Sequence, residues 1–109
     1  MSITTRTAQV GGSLVLHVSG EVDLPTLPRL ADALTRFVGV ATGTSVSYVD
    51  LDGVHLLDDA ALGLLLGAGA RARQAGGELV VVCSPGALQH RLNTTGFSRA
   101  LRVQDRVTP

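Results

Sequence analysis

Apolar and polar positions change period several times along the chain, and each change marks an element. Residues 3–10 (ITTRTAQV) are Thr-rich and loosely alternating, which predicts a short edge strand. Gly11-Gly12 then reads as a hairpin turn. Residues 14–19 (LVLHVS) alternate cleanly, with Leu14, Leu16 and Val18 on one side and Val15, His17 and Ser19 on the other. After Gly20-Glu21-Val22-Asp23 the period lengthens. Leu27, Leu30, Ala31, Leu34 and Val38 recur at helical spacing, and Pro25 and Pro28 fit only the first turn, so a helix is predicted over 26–38. Gly39 to Gly43 reads as a connection.

Residues 45–51 (SVSYVDL) predict a further strand, and 52–58 (DGVHLLD) a loop ending at Asp58. Asp58 is a candidate N-cap for a strong helical pattern over 59–75, with Leu62, Leu65 and Leu66 as its core stripe. Gly76-Gly77 supplies the stop. Residues 78–83 (ELVVVC) are almost continuously apolar, which suits a central strand parallel to its predecessor. Ser84-Pro85 opens a last helix to about Asn93, Gly96 breaks it, and 100–103 give a short turn or strand. The order β-β-α-β-α-β-α-(β) requires right-handed crossovers between parallel strands. An α/β fold is expected, with a mixed four- to five-stranded sheet, an N-terminal hairpin and helices packed mainly on one face.

Composition narrows the functions. A chain of 109 residues is read as one domain, 1–109. With 45% hydrophobic and 17% charged residues, it is not a disordered chain. Nine Arg and nine acidic residues give zero formal charge, and the aromatic residues are Phe37, Tyr48 and Phe97. A nucleic-acid partner is therefore not expected. The first residues lack a signal-peptide pattern, and the longest apolar stretch, Ala60 to Ala70, is about half a membrane span. The expectation is a cytoplasmic domain without membrane insertion. Cys83 is the single cysteine and reads as a small core residue.

Specific motifs come next. Gly20-Glu21-Val22-Asp23, trailed by Thr26 and Leu30, resembles the GE(L/I)D…T…L opening of STAS domains, the family of bacterial anti-sigma factor antagonists. Val49-Asp50-Leu51, then Leu56-Leu57-Asp58-Asp59-Ala60-Ala61-Leu62-Gly63, is similar to that family's strand–loop–helix signature, whose usual form ends Asp-Ser-(Ser/Thr)-Gly-Leu-Gly. Gly76-Gly77, Ser84-Pro85, Leu92, Gly96-Phe97 and Leu101 complete the ordered set, which covers essentially the whole chain. The resemblance implies a STAS fold and a protein that acts by binding, not catalysis. It implies an anti-sigma factor of the serine-kinase type as partner, and regulation of sigma-factor-dependent transcription by partner switching. In well-known members, the Ser after the Asp is the phosphoacceptor.

This sequence departs from the pattern there. Asp59 holds the phosphoacceptor position, Ala60 replaces the next hydroxyl residue and Ala61 the Gly. No Ser or Thr lies between Ser47 and Ser84, so this loop has no serine or threonine to phosphorylate. Asp59 reads either as a first-turn residue favoured by the helix dipole or as a fixed, partial imitation of phosphoserine, with one charge against about 1.5–2. Asp23 reads as a helix cap. It also reads, with Asp58 and Asp59, as part of an acidic surface to which Asp50 and Asp52 contribute. Ala60, Gly63, Gly67 and Ala70 form a small-residue stripe, either packed on the sheet or open to a partner. The expected partner surface is Asp23, Asp58, Asp59, Ala60, Gly63 and Gly67. The alternative expectation is a STAS-domain scaffold or accessory subunit of a transporter or stressosome-like assembly.

Other chemistry finds little support. His17, His55 and His90 are scattered and form no HxxxH or HExxH motif. No GxSxG nucleophile elbow is present, and without Lys there is no Walker lysine. No catalytic residue, metal or cofactor is expected.

Overall fold

Residues 2–41 and 45–107 are described by the structure, a computed structural model. Strands β1 (Ile3–Val10) and β2 (Ser13–Val22) form the N-terminal hairpin. A single 3-10 turn, Leu24–Thr26, leads into α1 (Leu27–Val40). Strand β3 (Val46–Leu57), helix α2 (Asp59–Gln74) and strand β4 (Glu78–Val82) follow. The chain closes with α3 (Ala87–Thr94), the short α4 (Phe97–Ala100) and β5 (Val103–Gln104). The five-stranded sheet has the order β1-β2-β3-β4-β5, antiparallel between β1 and β2 and parallel elsewhere.

The helices cover one face. Leu16, Val18, Val49, Leu51, Leu79, Val81 and Cys83 of the sheet segments meet Leu30, Leu34, Phe37, Ala61, Leu65, Leu92 and Phe97 in one buried cluster. On the other face, Val15, Tyr48, Val80 and Val82 form a smaller cluster, with Val46 and Val107 against it. The two side sets expected for residues 14–19 are thus found on the two faces.

Several boundaries differ from the sequence expectation. The predicted connection at 39–43 begins later, because α1 continues through Gly39 to Val40; residues 42–44 lie outside those described. The segment expected as a loop, 52–58, is strand up to Leu57. Two register shifts against β2, between His17 and Ser19 and between Gly20 and Glu21, admit extra β3 residues as bulges. These break the alternation by which a strand is recognised. The close approach requires Gly53, where a Cβ would stand 2.7 Å from that of Ser19. Helix α3 begins at Ala87, not at Ser84-Pro85. The core stripe of α2 is Ala61, Leu65, Ala68, Gly69 and Ala72, and Leu62 and Leu66 lie on its flanks. Small residues let this helix sit close to the sheet. The Gly76-Gly77 stop closes a Schellman motif, with Gly77 N–H donating to the Ala72 carbonyl and Gly76 N–H to that of Arg73.

Candidate functional site

Parallel strands β2 and β3 end side by side. Val22 pairs with Leu57, and Asp58 N–H donates to the Val22 carbonyl at 2.8 Å. The next residue of each strand caps the following helical segment, so Asp23 and Asp58 emerge as neighbours. Asp23 forms a capping box: its N–H donates to Thr26 Oγ1 at 3.0 Å, and Thr26 N–H donates to Asp23 Oδ1 at 3.2 Å. Thr26 is buried and its Oγ1 also lies 3.0 Å from the Glu21 carbonyl oxygen. Asp58 Oδ1 accepts from Ala60 N–H at 2.8 Å. Both Asp residues are therefore caps, and together they form an acidic edge.

Asp59 differs. It occupies the first turn of α2, and its side chain is 86% exposed. Its Oδ1 accepts from Nη2 of Arg91, while Nη1 of the same guanidinium donates to the Leu57 carbonyl. Arg91 lies on α3, and no local pattern in the sequence links it to a loop 32 residues earlier. It was absent from the expected site for that reason.

Two grooves flank the turn at Asp58–Ala60. On one side, Leu24, Leu27, Pro28 and Ala31 face Ala60 and Leu64 across a groove of about 410 Å³. On the other, Val54, Leu56 and Leu57 face Ala87, Leu88 and Arg91 across about 200 Å³. Leu24 is 69% exposed and Leu56 49% exposed, unusual for large aliphatic side chains. Leu24 lies ahead of the helix predicted over 26–38 and its spacing to Leu27 continues the apolar stripe, so the sequence carries no sign of its exposure.

The remaining expected residues divide. Ala60 and Gly63 are exposed and Gly67 is half-buried. A Cβ at Gly63 would meet nothing within 4 Å, and one at Gly67 would make ordinary contact with Arg71. This stripe is not packed on the sheet. Asp50 and Asp52 do not join the acidic edge. Asp50 Oδ2 lies 2.8 Å from His17 Nδ1, within the helix-free face. Asp52 accepts from Ser84 N–H at 2.7 Å and lies 3.0 Å from Ser84 Oγ. Both carboxylates raise the pKa of Cys83, after burial, which is the larger cause. Among the described residues, no three His, Cys, Asp or Glu side chains converge as metal ligands would, and no helix is long and apolar enough to cross a membrane.

A mixed parallel sheet with one helical layer, and a capped turn projecting from the ends of its central strands, defines the class of domain. The STAS domain profile matches residues 4–108, and the chain belongs to that family. The anti-sigma-B factor antagonist of Staphylococcus aureus (strain NCTC 8325 / PS 47) is 29% identical over 90 residues, spanning 83% of this chain and 82% of that relative. The crystal structure of an anti-sigma factor antagonist from Mycobacterium paratuberculosis superposes with a TM-score of 0.78 at 27% identity, over 97% of this chain and 88% of that one. The Bacillus cell fate determinant SpoIIAA, in its phosphorylated form, shares the fold with a TM-score of 0.64 at 13% identity, over 92% of this chain and 90% of that one.

Proposed function

We propose that this chain is an anti-sigma factor antagonist that regulates transcription by stoichiometric binding, not as an enzyme. Its partner is an anti-sigma factor of the serine-kinase type. The observation that carries this reading is the placement of Asp23 and Asp58 at the ends of the paired strands β2 and β3, beside an open apolar groove lined by Leu24 and Ala60. Desolvating an exposed aliphatic anchor supplies affinity, and the flanking carboxylates select a basic rim on the partner. The names of the S. aureus and M. paratuberculosis relatives support the same assignment. Gly63, Gly67 and Ala60 extend the surface along α2, where bare backbone permits close approach.

The test is calorimetric titration of the chain against purified serine-kinase-type anti-sigma factors of the source genome. One of them is expected to bind, and Asp23→Asn and Leu24→Ser are expected to weaken it about tenfold or more. Both changes keep the fold, since Asn also caps helices and Leu24 is exposed. Unchanged affinity in both variants overturns the surface.

The second reading is a scaffold or accessory subunit of a transporter or stressosome-like assembly. Asp59 in place of a hydroxyl residue favours it, because such a role has no need of a phosphorylation step. If neither the native chain nor Asp59→Ser binds any candidate, this reading takes precedence.

A further inference from the structure

We propose that Arg91 cancels the charge of Asp59, so that this position meets its partner as a neutral ion pair and no unpaired carboxylate has to be desolvated on binding. This rests on the antagonist reading above and specifies its regulation. The geometry is asymmetric. Asp58, not Asp59, takes the cap of α2, which leaves the Asp59 carboxylate to the Arg91 guanidinium. The same guanidinium reaches the Leu57 carbonyl, so one planar fork brackets the turn on both sides of Asp58. The Arg91 side chain is 34% exposed, against 86% for Asp59: the cation lies in the groove wall and the anion projects from it. Leu92, the next residue, is fully buried and Leu88 packs on the core, which holds α3 in place.

Charge arithmetic then separates Asp59 from a phosphoserine. A phosphoserine carries about 1.5–2 negative charges, and one guanidinium would leave an excess facing the partner. Asp carries one, and Arg91 balances it. An exposed pair of this kind adds little to stability. Its consequence is the charge presented to the partner. Asp23 and Asp58 remain as the acidic edge, while Asp59 is electrically silent.

The experiment is a double-mutant cycle, read as affinity for the serine-kinase-type anti-sigma factor that binds the native chain, at low ionic strength. Arg91→Gln leaves the Asp59 carboxylate without its partner, a charge that must be desolvated in the complex, and is expected to weaken binding about two- to fivefold. Arg91→Gln with Asp59→Asn is expected to return to about the native affinity. Arg91→Lys keeps a cation beside Asp59 but loses the fork that also reaches the Leu57 carbonyl, and is expected to bind between Arg91→Gln and the native chain. Asp59→Ser is expected to bind no better than native. The proposal is overturned if Arg91→Gln binds as the native chain does or if the double variant fails to recover. It is also overturned if Asp59→Ser binds where the native chain is silent, a result that leaves the antagonist reading standing. Silence of both removes that reading as well.

Discussion

Helix α2 presents two faces built from the same small residues for opposite reasons. On the inner face, Ala61, Leu65, Ala68, Gly69 and Ala72 are buried, and a Cβ at Gly69 would stand 2.7 Å from Leu101 Cδ1. Smallness there is a packing requirement. On the outer face, a Cβ at Gly63 would meet nothing. A glycine within a helix costs about 0.5–1 kcal/mol relative to Ala, and at Gly63 no neighbour among the described residues offsets it. The inner face is explained by the fold; for the outer face, the proposed partner surface supplies the reason.

The largest effect expected on this contrast comes from Leu65→Ala. It empties the centre of the inner face and should lower unfolding free energy by about 2–5 kcal/mol in chemical denaturation. Gly69→Ala should cost about 1–3 kcal/mol in the same assay, because Leu101 is buried and has little room to move. Gly63→Ala should raise stability by about 0.5–1 kcal/mol while weakening association with the anti-sigma factor. A variant more stable but equally competent to bind would break the comparison, since the glycine would then serve neither fold nor partner. The smallest effect concerns Cys83, at the covered side of the sheet. Its raised pKa means that the folded state keeps the thiol proton where the unfolded chain loses it. The stability linked to this group is complete below the ordinary thiol range and declines as pH rises through the raised value. Iodoacetamide labelling of the native chain should accordingly lag that of the denatured chain most strongly below the ordinary thiol range, with the lag shrinking as pH rises through the raised value.

Much of the architecture was legible because periodicity is local. The hairpin, the two long helices and β4 rest on patterns confined to single segments, and the caps Asp23 and Asp58 rest on one residue type at one position. The strand character of 52–57 was not legible: Asp52, Gly53 and His55 spoil the alternation, and only pairing with β2 across two bulges holds them extended. The leucines of α2 carry its periodicity in the sequence, whereas proximity to the sheet favours its alanines. Asp50 and Asp52 were expected at the acidic edge on sequence proximity alone, yet bulged backbone directs them to His17 and Ser84. Arg91 is a matter of long-range geometry, with nothing beside it in sequence to announce it.

The hydrogen bond from Asp58 to Val22 has a kinetic consequence. The β1–β2 hairpin closes through near neighbours, but β2 meets β3 only after the chain has looped through α1, and such non-local parallel pairing is slow. Each capping Asp can engage its own helix before that meeting; the pair they make together cannot precede it. The proposed binding surface is therefore a late product of folding, and a partner that grips both carboxylates would select chains whose central crossover has already closed.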